Sequence, residues 1–154
     1  MLKPGEKAPS FILQSDKEVE ISLDDFLKKN QVILYFYPKD NTSGCTKEAC
    51  SFRDHIPLIQ AENTVVIGIS PDNIKSHQNF IQKHNLNFIL LSDPDHKVAE
   101  MYGAWGEKKM YGKIHKGIIR STFIISKDGI IKHVFGKVKP EGHAEQVLEI
   151  LKKR

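Results

Sequence analysis

The chain has 154 residues, a formal net charge of +4 and a sequence isoelectric point near 9.0. Hydrophobic residues make up 40% and charged residues 27%, which is ordinary for a globular protein, argues against a disordered chain and fits one domain over residues 1–154. No apolar run is long enough to span a bilayer, and the N-terminus has no signal-peptide pattern. We therefore predict a cytoplasmic protein that does not contact the membrane.

The first half of the chain predicts alternating strands and helices. Short β-like segments flank Ser15-Asp16-Lys17 and indicate an N-terminal hairpin. Long apolar runs further on are typical of buried parallel strands. The expected elements in chain order are strands 11–14 and 19–21, helix 22–29, strand 32–37, helix 46–57, strand 64–70 and helix 71–84.

The second half predicts one more strand–helix unit, a hairpin and a closing helix. Asp128-Gly129 between two β-like runs is a strong hairpin signal. The expected elements are strand 88–91, helix 94–103, an irregular loop over 104–117, strands 118–125 and 130–135, and helix 141–152. This order predicts an α/β fold with a central mixed sheet, helices on both faces and an N-terminal hairpin extension, a layout that resembles the thioredoxin fold.

The two cysteines of the chain, Cys45 and Cys50, lie five positions apart where a loop enters a helix. Metal binding is a poor interpretation, because structural zinc sites need a second ligand pair that the sequence lacks. On an intact helix the two Cα atoms would be about 8.6 Å apart, beyond the roughly 7 Å limit for a disulfide. The pair is therefore either two unrelated thiols or a redox couple whose helix unwinds during turnover.

The residues before Cys45 carry a resemblance. Pro38-Lys-Asp-Asn-Thr42-Ser-Gly-Cys45 is similar to the P-x-x-x-T-x-x-C signature of peroxiredoxins. Cys45-Thr-Lys-Glu-Ala-Cys50 resembles the bacterioferritin-comigratory, or peroxiredoxin Q, branch of that family. Ile119-Arg120-Ser-Thr-Phe-Ile124 resembles the strand that bears the family's active-site arginine. One departure is Ser43, which stands where this branch usually has proline; we expect it to change loop stiffness rather than chemistry.

The resemblance implies a thioredoxin-dependent thiol peroxidase of antioxidant defence. Cys45 would attack hydrogen peroxide or an organic hydroperoxide and become a sulfenic acid, and Cys50 would resolve it as an intramolecular disulfide. A helix N-terminus and a guanidinium lower the pKa of a cysteine thiol, which suits Arg120 to hold the Cys45 thiolate and a peroxide oxygen.

The remaining site residues follow from the same resemblance. Thr42 would orient the peroxide, Pro38 would shape the pocket and shield Cys45, and Glu48 would hold Arg120 in place. No cofactor or metal is expected. The implied partners are the peroxide and a thioredoxin-type dithiol, and the implied state is a monomer, with weak dimers left open.

Two rival functions remain. A thioredoxin-type disulfide oxidoreductase fits less well because the C-x-x-C motif is absent. A nucleic-acid-binding module would use the basic surface, including Lys152-Lys153-Arg154, but no basic stripe interleaved with aromatic residues supports it. We therefore predict no nucleic-acid partner.

Overall fold

Nine strands and five helices form within residues 1–153, which the computed structural model describes, apart from the side chain of Met110. Arg154 of the predicted basic cluster lies outside the described residues. The strands are β1 Ile12–Ser15, β2 Glu20–Ser22, β3 Gln31–Phe36, β4 Thr64–Ser70, β5 Ile89–Ser92, β6 Trp105–Met110, β7 Lys113–Ile118, β8 Ser121–Ile125 and β9 Ile131–Phe135. The helices are α1 Leu23–Leu27, α2 Ser43–Gln60, α3 Ile74–His84, α4 Lys97–Tyr102 and α5 His143–Lys152.

Seven strands make one mixed sheet in the order β2-β1-β5-β4-β3-β8-β9. The central strands β3, β4 and β5 run parallel, as their apolar runs predict, whereas β8 and β9 add antiparallel strands beside β3. The N-terminal hairpin β1–β2 joins the opposite edge, where β1 pairs antiparallel with β5. The predicted α/β fold with a mixed sheet and an N-terminal hairpin is confirmed.

Each face of the sheet supports its own hydrophobic core, because alternate residues of a strand point to opposite faces. On β3, Leu34 and Phe36 join the core under α1 and α4, while Ile33 and Tyr35 join the core under α2, α3 and α5. Tyr35 and Leu90 also explain Gly68 on β4: a Cβ at that position would lie 2.8 Å from Cδ2 of Leu90 and 2.9 Å from the tyrosine ring. The packing of Tyr35 therefore depends on this glycine.

Helix α2 is longer at both ends than its sequence predicts. It begins at Ser43 instead of Thr46, so that Cys45 lies within its first turn, and it continues to Gln60 through Pro57. A proline inside a helix leaves the carbonyl four residues earlier without its donor. Here that carbonyl belongs to Arg53, and the Asn87 side-chain amide donates to it (3.3 Å), so a residue distant in sequence makes the proline tolerable.

The prediction of an irregular loop over 104–117 is wrong. Strands β6 and β7 form an antiparallel hairpin, and Tyr111 and Gly112 turn between them with φ of 53° and 75°. Two consecutive positive φ values suit the right-handed twist of a tight hairpin. The lysine- and glycine-rich strands lack the alternation of apolar residues that would have revealed them.

Other helix starts also differ from expectation. Asn73 accepts a hydrogen bond from the Ser76 amide (2.8 Å) and so begins α3 three residues after Pro71. The carboxylate of Asp93 accepts from the amides of Val98 and Ala99, which places the start of α4 at Lys97 rather than Pro94. In residues 1–153 no helix is long and apolar enough to cross a membrane.

Candidate active site

The loop between β3 and α2 sets the position of Cys45. The loop begins with Pro38 after the last ladder bond of β3, and Asn41 turns the chain with φ of 60°. Thr42 has extended backbone angles and precedes α2 without capping it through its side chain. Cys45 is therefore the third residue of the helix, where backbone N–H groups of the first turn and the positive end of the helix dipole favour a negative charge.

The sulfur of Cys45 is buried against a guanidinium. The residue is 1% exposed, and Nη2 of Arg120 donates to its Sγ at 3.1 Å. Arg120 lies in the short link between β7 and β8 rather than inside a strand, so the predicted strand 118–125 is interrupted there. From this link the arginine side chain reaches Cys45 and Glu48 on α2. A charged donor this close stabilises a thiolate more than a thiol.

Glu48 accepts a hydrogen bond from the other terminal nitrogen of the Arg120 guanidinium. Its Oε1 accepts from Nη1 of Arg120 at 2.6 Å, and the residue is completely buried. Burial raises the pKa of Glu48 to about 7, although the charge and hydrogen bonds of Arg120 act in the opposite direction. Because one planar fork contacts both groups, Glu48 and Cys45 share the charge of a single arginine.

The neighbouring positions are tightly spaced. A Cβ on Gly44 would lie 3.3 Å from Nη2 of Arg120 and 3.3 Å from Cγ of Pro140, so any larger residue there would push on the arginine. Thr42 is exposed, and its hydroxyl donates to the carbonyl of Lys39 (2.9 Å). Pro38 is half-buried at the base of the loop.

Cys50 has a different environment from Cys45. Both cysteines are free thiols on the unbroken helix α2, but Cys50 is only half-buried. The structure thus places Arg120 in direct contact with both Cys45 and Glu48. Thr42 lies at the helix start, and Cys50 lies more than one helical turn away from Cys45.

A buried polar cluster next to this loop was not foreseen. Asp40, between Pro38 and Thr42, accepts hydrogen bonds from Tyr37 (2.6 Å) and Ser76 (2.8 Å), and its Oδ2 lies 2.7 Å from Nδ1 of His77. The sequence assigns no role to any histidine, because Asp40 and His77 are 37 residues apart and form no recognisable motif. Only the fold brings them together.

Comparison with known proteins agrees with this geometry. Residues 4–134 match the AhpC/TSA family. A peroxiredoxin bcp of Helicobacter pylori strain J99 is 53% identical over 150 residues, covering 97% of this chain and 98% of the relative. The peroxiredoxin Bcp of Bacillus subtilis is 45% identical over 148 residues, covering 96% and 94%.

Solved structures give the same result. The bacterioferritin comigratory protein of Xanthomonas campestris, described for its alkyl peroxide reduction activity, is 35% identical with a TM-score of 0.88 and covers 99% of this chain and 96% of that one. Mycobacterium tuberculosis BcpB is 30% identical, also with a TM-score of 0.88, covering 99% and 97%. The chain belongs to the AhpC/TSA family, in its Bcp or peroxiredoxin Q branch, and is a thiol peroxidase with the thioredoxin-like fold of peroxiredoxins.

Proposed function

We propose that Cys45 is the peroxidatic residue. Its thiolate attacks one oxygen of a hydroperoxide, the O–O bond breaks, and the other oxygen leaves as water or an alcohol after gaining a proton. Cys45 is thereby oxidised to a sulfenic acid and the peroxide is reduced. The contact that carries this proposal is the 3.1 Å hydrogen bond from Arg120 to Sγ at the start of α2.

The neighbouring residues prepare that step. Arg120 stabilises the thiolate and the charge that develops on the leaving oxygen, and Glu48 fixes the plane of its guanidinium. Because the proton of Thr42 is engaged by the Lys39 carbonyl, its oxygen is free to accept a hydrogen bond from the O–H of the peroxide. Pro38 shapes the base of the pocket and has no N–H to compete for the substrate.

Cys50 completes the cycle as the resolving residue. Its thiol attacks the sulfur of the Cys45 sulfenic acid, water leaves, and a disulfide forms. The continuous helix from Ser43 to Gln60 separates the two sulfurs, so this step requires the segment 43–50 to unwind. A dithiol of thioredoxin type then reduces the disulfide by two-electron exchange and is itself oxidised.

The relative with alkyl peroxide reduction activity and a cleft near Arg120 indicate the substrates. We infer that hydrogen peroxide and small alkyl hydroperoxides both react, which the alkyl peroxide reduction of the Xanthomonas relative supports. A cleft of about 390 Å³ beside Gly44, lined by Lys47, Lys139, Pro140 and Glu141, is adjacent to Arg120 and offers room for an organic substituent.

We also propose that residues 1–154 act as one domain, as a monomer in the cytoplasm. One continuous sheet with a core on each face supports the single domain. A catalytic pair of free thiols functions best where cellular reductants are abundant, which supports the compartment.

A coupled assay of peroxide consumption with thioredoxin, its reductase and NADPH tests the function. We expect Cys45→Ser to abolish peroxide reduction, and Cys50→Ser to preserve a single turnover while losing steady-state recycling. Full activity of Cys45→Ser would refute the peroxidatic assignment, and an unaltered steady state in Cys50→Ser would refute the resolving role. Reduction of insulin disulfides without peroxide turnover would instead indicate a thioredoxin-type oxidoreductase.

A further inference from the structure

A buried charged cluster anchors the loop that carries Thr42. The Asp40 side chain is 1% exposed and receives hydroxyl hydrogen bonds from Tyr37 (2.6 Å) and Ser76 (2.8 Å). The backbone N–H of Asp40 donates to Oδ2 of Asp72 at 2.6 Å. The loop is therefore held through both the main chain and the side chain of one residue.

Contacts at both ring nitrogens fix the orientation of His77. Its Nε2 faces the carbonyl oxygen of Leu91 at 3.0 Å, and a carbonyl only accepts, so Nε2 is the donor. Its Nδ1 faces Oδ2 of Asp40 at 2.7 Å, and the Tyr37 hydroxyl lies 3.4 Å from the same nitrogen. The ring of His77 is therefore held between β5 and the Asp40 carboxyl group.

The backbone connects Asp40 closely to the active-site residue Thr42. Asn41 alone separates Asp40 from Thr42, and its φ of 60° places it in the left-handed region, where the direction of the chain is sharply defined. The partners of Asp40 lie directly after β3 (Tyr37), before α3 (Asp72) and on α3 (Ser76 and His77), and none of these four residues lies on α2. The anchor is therefore independent of the helix that has to unwind.

We propose that Asp40 and His77 are positioning residues for peroxide reduction: their buried hydrogen-bonded contact holds the loop 38–42 so that the Thr42 oxygen receives the peroxide before Cys45 attacks. The inference deepens the proposed function and rests on it. It adds a buried pair of residues that act through the placement of Thr42.

A double-mutant cycle between His77 and Thr42 tests this role. The readout is the second-order rate constant for oxidation of Cys45 by hydrogen peroxide in stopped-flow experiments. We expect His77→Gln to lower that constant about tenfold, and to have no further effect in a Thr42→Val background, because both changes remove the same interaction. Asp40→Asn, which keeps the shape of the side chain, should also lower the rate constant. It replaces His77→Gln in the cycle if that variant does not fold.

Two controls separate positioning from general destabilisation. Alkylation of Cys45 by iodoacetamide should keep its pH profile in His77→Gln, because Arg120 and Glu48 are untouched. Tyr102→Phe removes a buried hydrogen bond to the Pro9 carbonyl (2.7 Å) elsewhere in the fold and should leave the rate constant with peroxide unchanged. Additive effects of His77→Gln and Thr42→Val, or an unchanged rate constant in His77→Gln, would overturn the positioning role. Either result would leave the proposed function intact as long as the wild type reduces peroxide.

The Asp40–His77 contact has a readout that needs no activity. In ¹⁵N-labelled protein, the Nδ1 chemical shift of His77 should change in Asp40→Asn, because that substitution alters the group that Nδ1 faces. An Nδ1 shift identical in the wild type and Asp40→Asn would overturn the contact. Retained peroxide reduction by Cys45→Ser would refute the proposed function itself, independently of the state of His77.

Discussion

The two cysteines of α2, at the two ends of the segment 45–50, differ in their contacts and burial. Cys45 is 1% exposed and bonded to Arg120, whereas Cys50, five residues later on the same helix, is half-buried. The first end is organised for attack on a peroxide, which requires fixed geometry. In the proposed cycle Cys50 has to approach the sulfenic acid, which requires the helix to unwind. The same segment of α2 is thus folded for the reaction with peroxide and unwound for formation of the disulfide.

Contacts beyond Cys50 limit how far the movement spreads. Nη1 of Arg53 donates to the His84 carbonyl at 2.7 Å, and the Ser51 hydroxyl accepts from the Ala144 amide at 3.3 Å. These bonds attach the middle of α2 to α3 and α5. These contacts should confine the unwinding required for a disulfide to about two turns, residues 43–50.

Replacement of Arg120 should have the largest effect, on the reaction of Cys45 with peroxide. Arg120→Lys keeps the charge but cannot contact both Sγ of Cys45 and Oε1 of Glu48 in one plane. We expect the second-order rate constant with peroxide to fall about 100-fold. Arg53→Lys is the matched control, because Arg53 lies on α2 but its guanidinium donates to the His84 carbonyl. This variant should react with peroxide nearly as fast as the wild type. Similar losses in both variants would contradict a special role for Arg120.

Removal of the buried carboxyl should change the pH dependence of stability. Burial raises the pKa of Glu48 from 4.5 in the unfolded chain to about 7 in the folded protein. The folded state therefore binds the proton more tightly, and the resulting stabilisation is complete below pH 4.5 and lost as the pH rises through 7. Glu48→Gln has no such proton to lose.

Denaturant unfolding at several pH values measures this difference. Between pH 4.5 and pH 8, the wild type should lose stability relative to Glu48→Gln by on the order of 2–3 kcal/mol. Glu145→Gln, an exposed carboxylate on α5, is the control and should not show the trend. Parallel stability curves for wild type and Glu48→Gln would contradict the raised pKa.

A change at the first residue of α2 should have the smallest effect, on the formation of the disulfide. Ser43 occupies the position where proline suits a helix best, and Thr42 before it already has the extended angles that proline requires. Ser43→Pro should stabilise the folded protein by about 0.5–1 kcal/mol and slow formation of the disulfide about two- to fivefold. Rapid-quench thiol trapping after peroxide addition gives the rate.

The control for this change is the preceding step. Oxidation of Cys45 to the sulfenic acid should keep its rate in Ser43→Pro, because the loop before α2 already has the required conformation. A stabilised variant that forms its disulfide as fast as the wild type would show that unwinding of the helix start does not limit resolution.

The sequence predicts the elements whose signals are local. The apolar run over 64–70 gives β4 with its observed bounds, and the signature from Pro38 to Cys45 locates the loop at the start of α2. The helix start was misplaced because Ser43 and Gly44 are weak helix formers held in place by tertiary contacts. Gly44 is required by the proximity of Arg120, 76 residues later, which no local pattern encodes.

The parts that escaped prediction depend on distant partners. Pro57 is tolerated inside α2 because Asn87 satisfies the carbonyl that the proline leaves free. The pairing of Asp40 with His77 exists only because the fold places the loop after β3 beside α3. Such contacts join residues more than 30 positions apart, and neither residue alone has an unusual neighbourhood in the sequence.

Hydrogen exchange of α2 before and after one equivalent of peroxide tests the central claim most directly, with the disulfide mapped in the same peptic digest. We predict a Cys45–Cys50 disulfide accompanied by loss of amide protection over 43–50 and retained protection over 51–60. A Cys45–Cys50 disulfide formed while residues 43–50 keep the protection of the reduced protein would contradict the account.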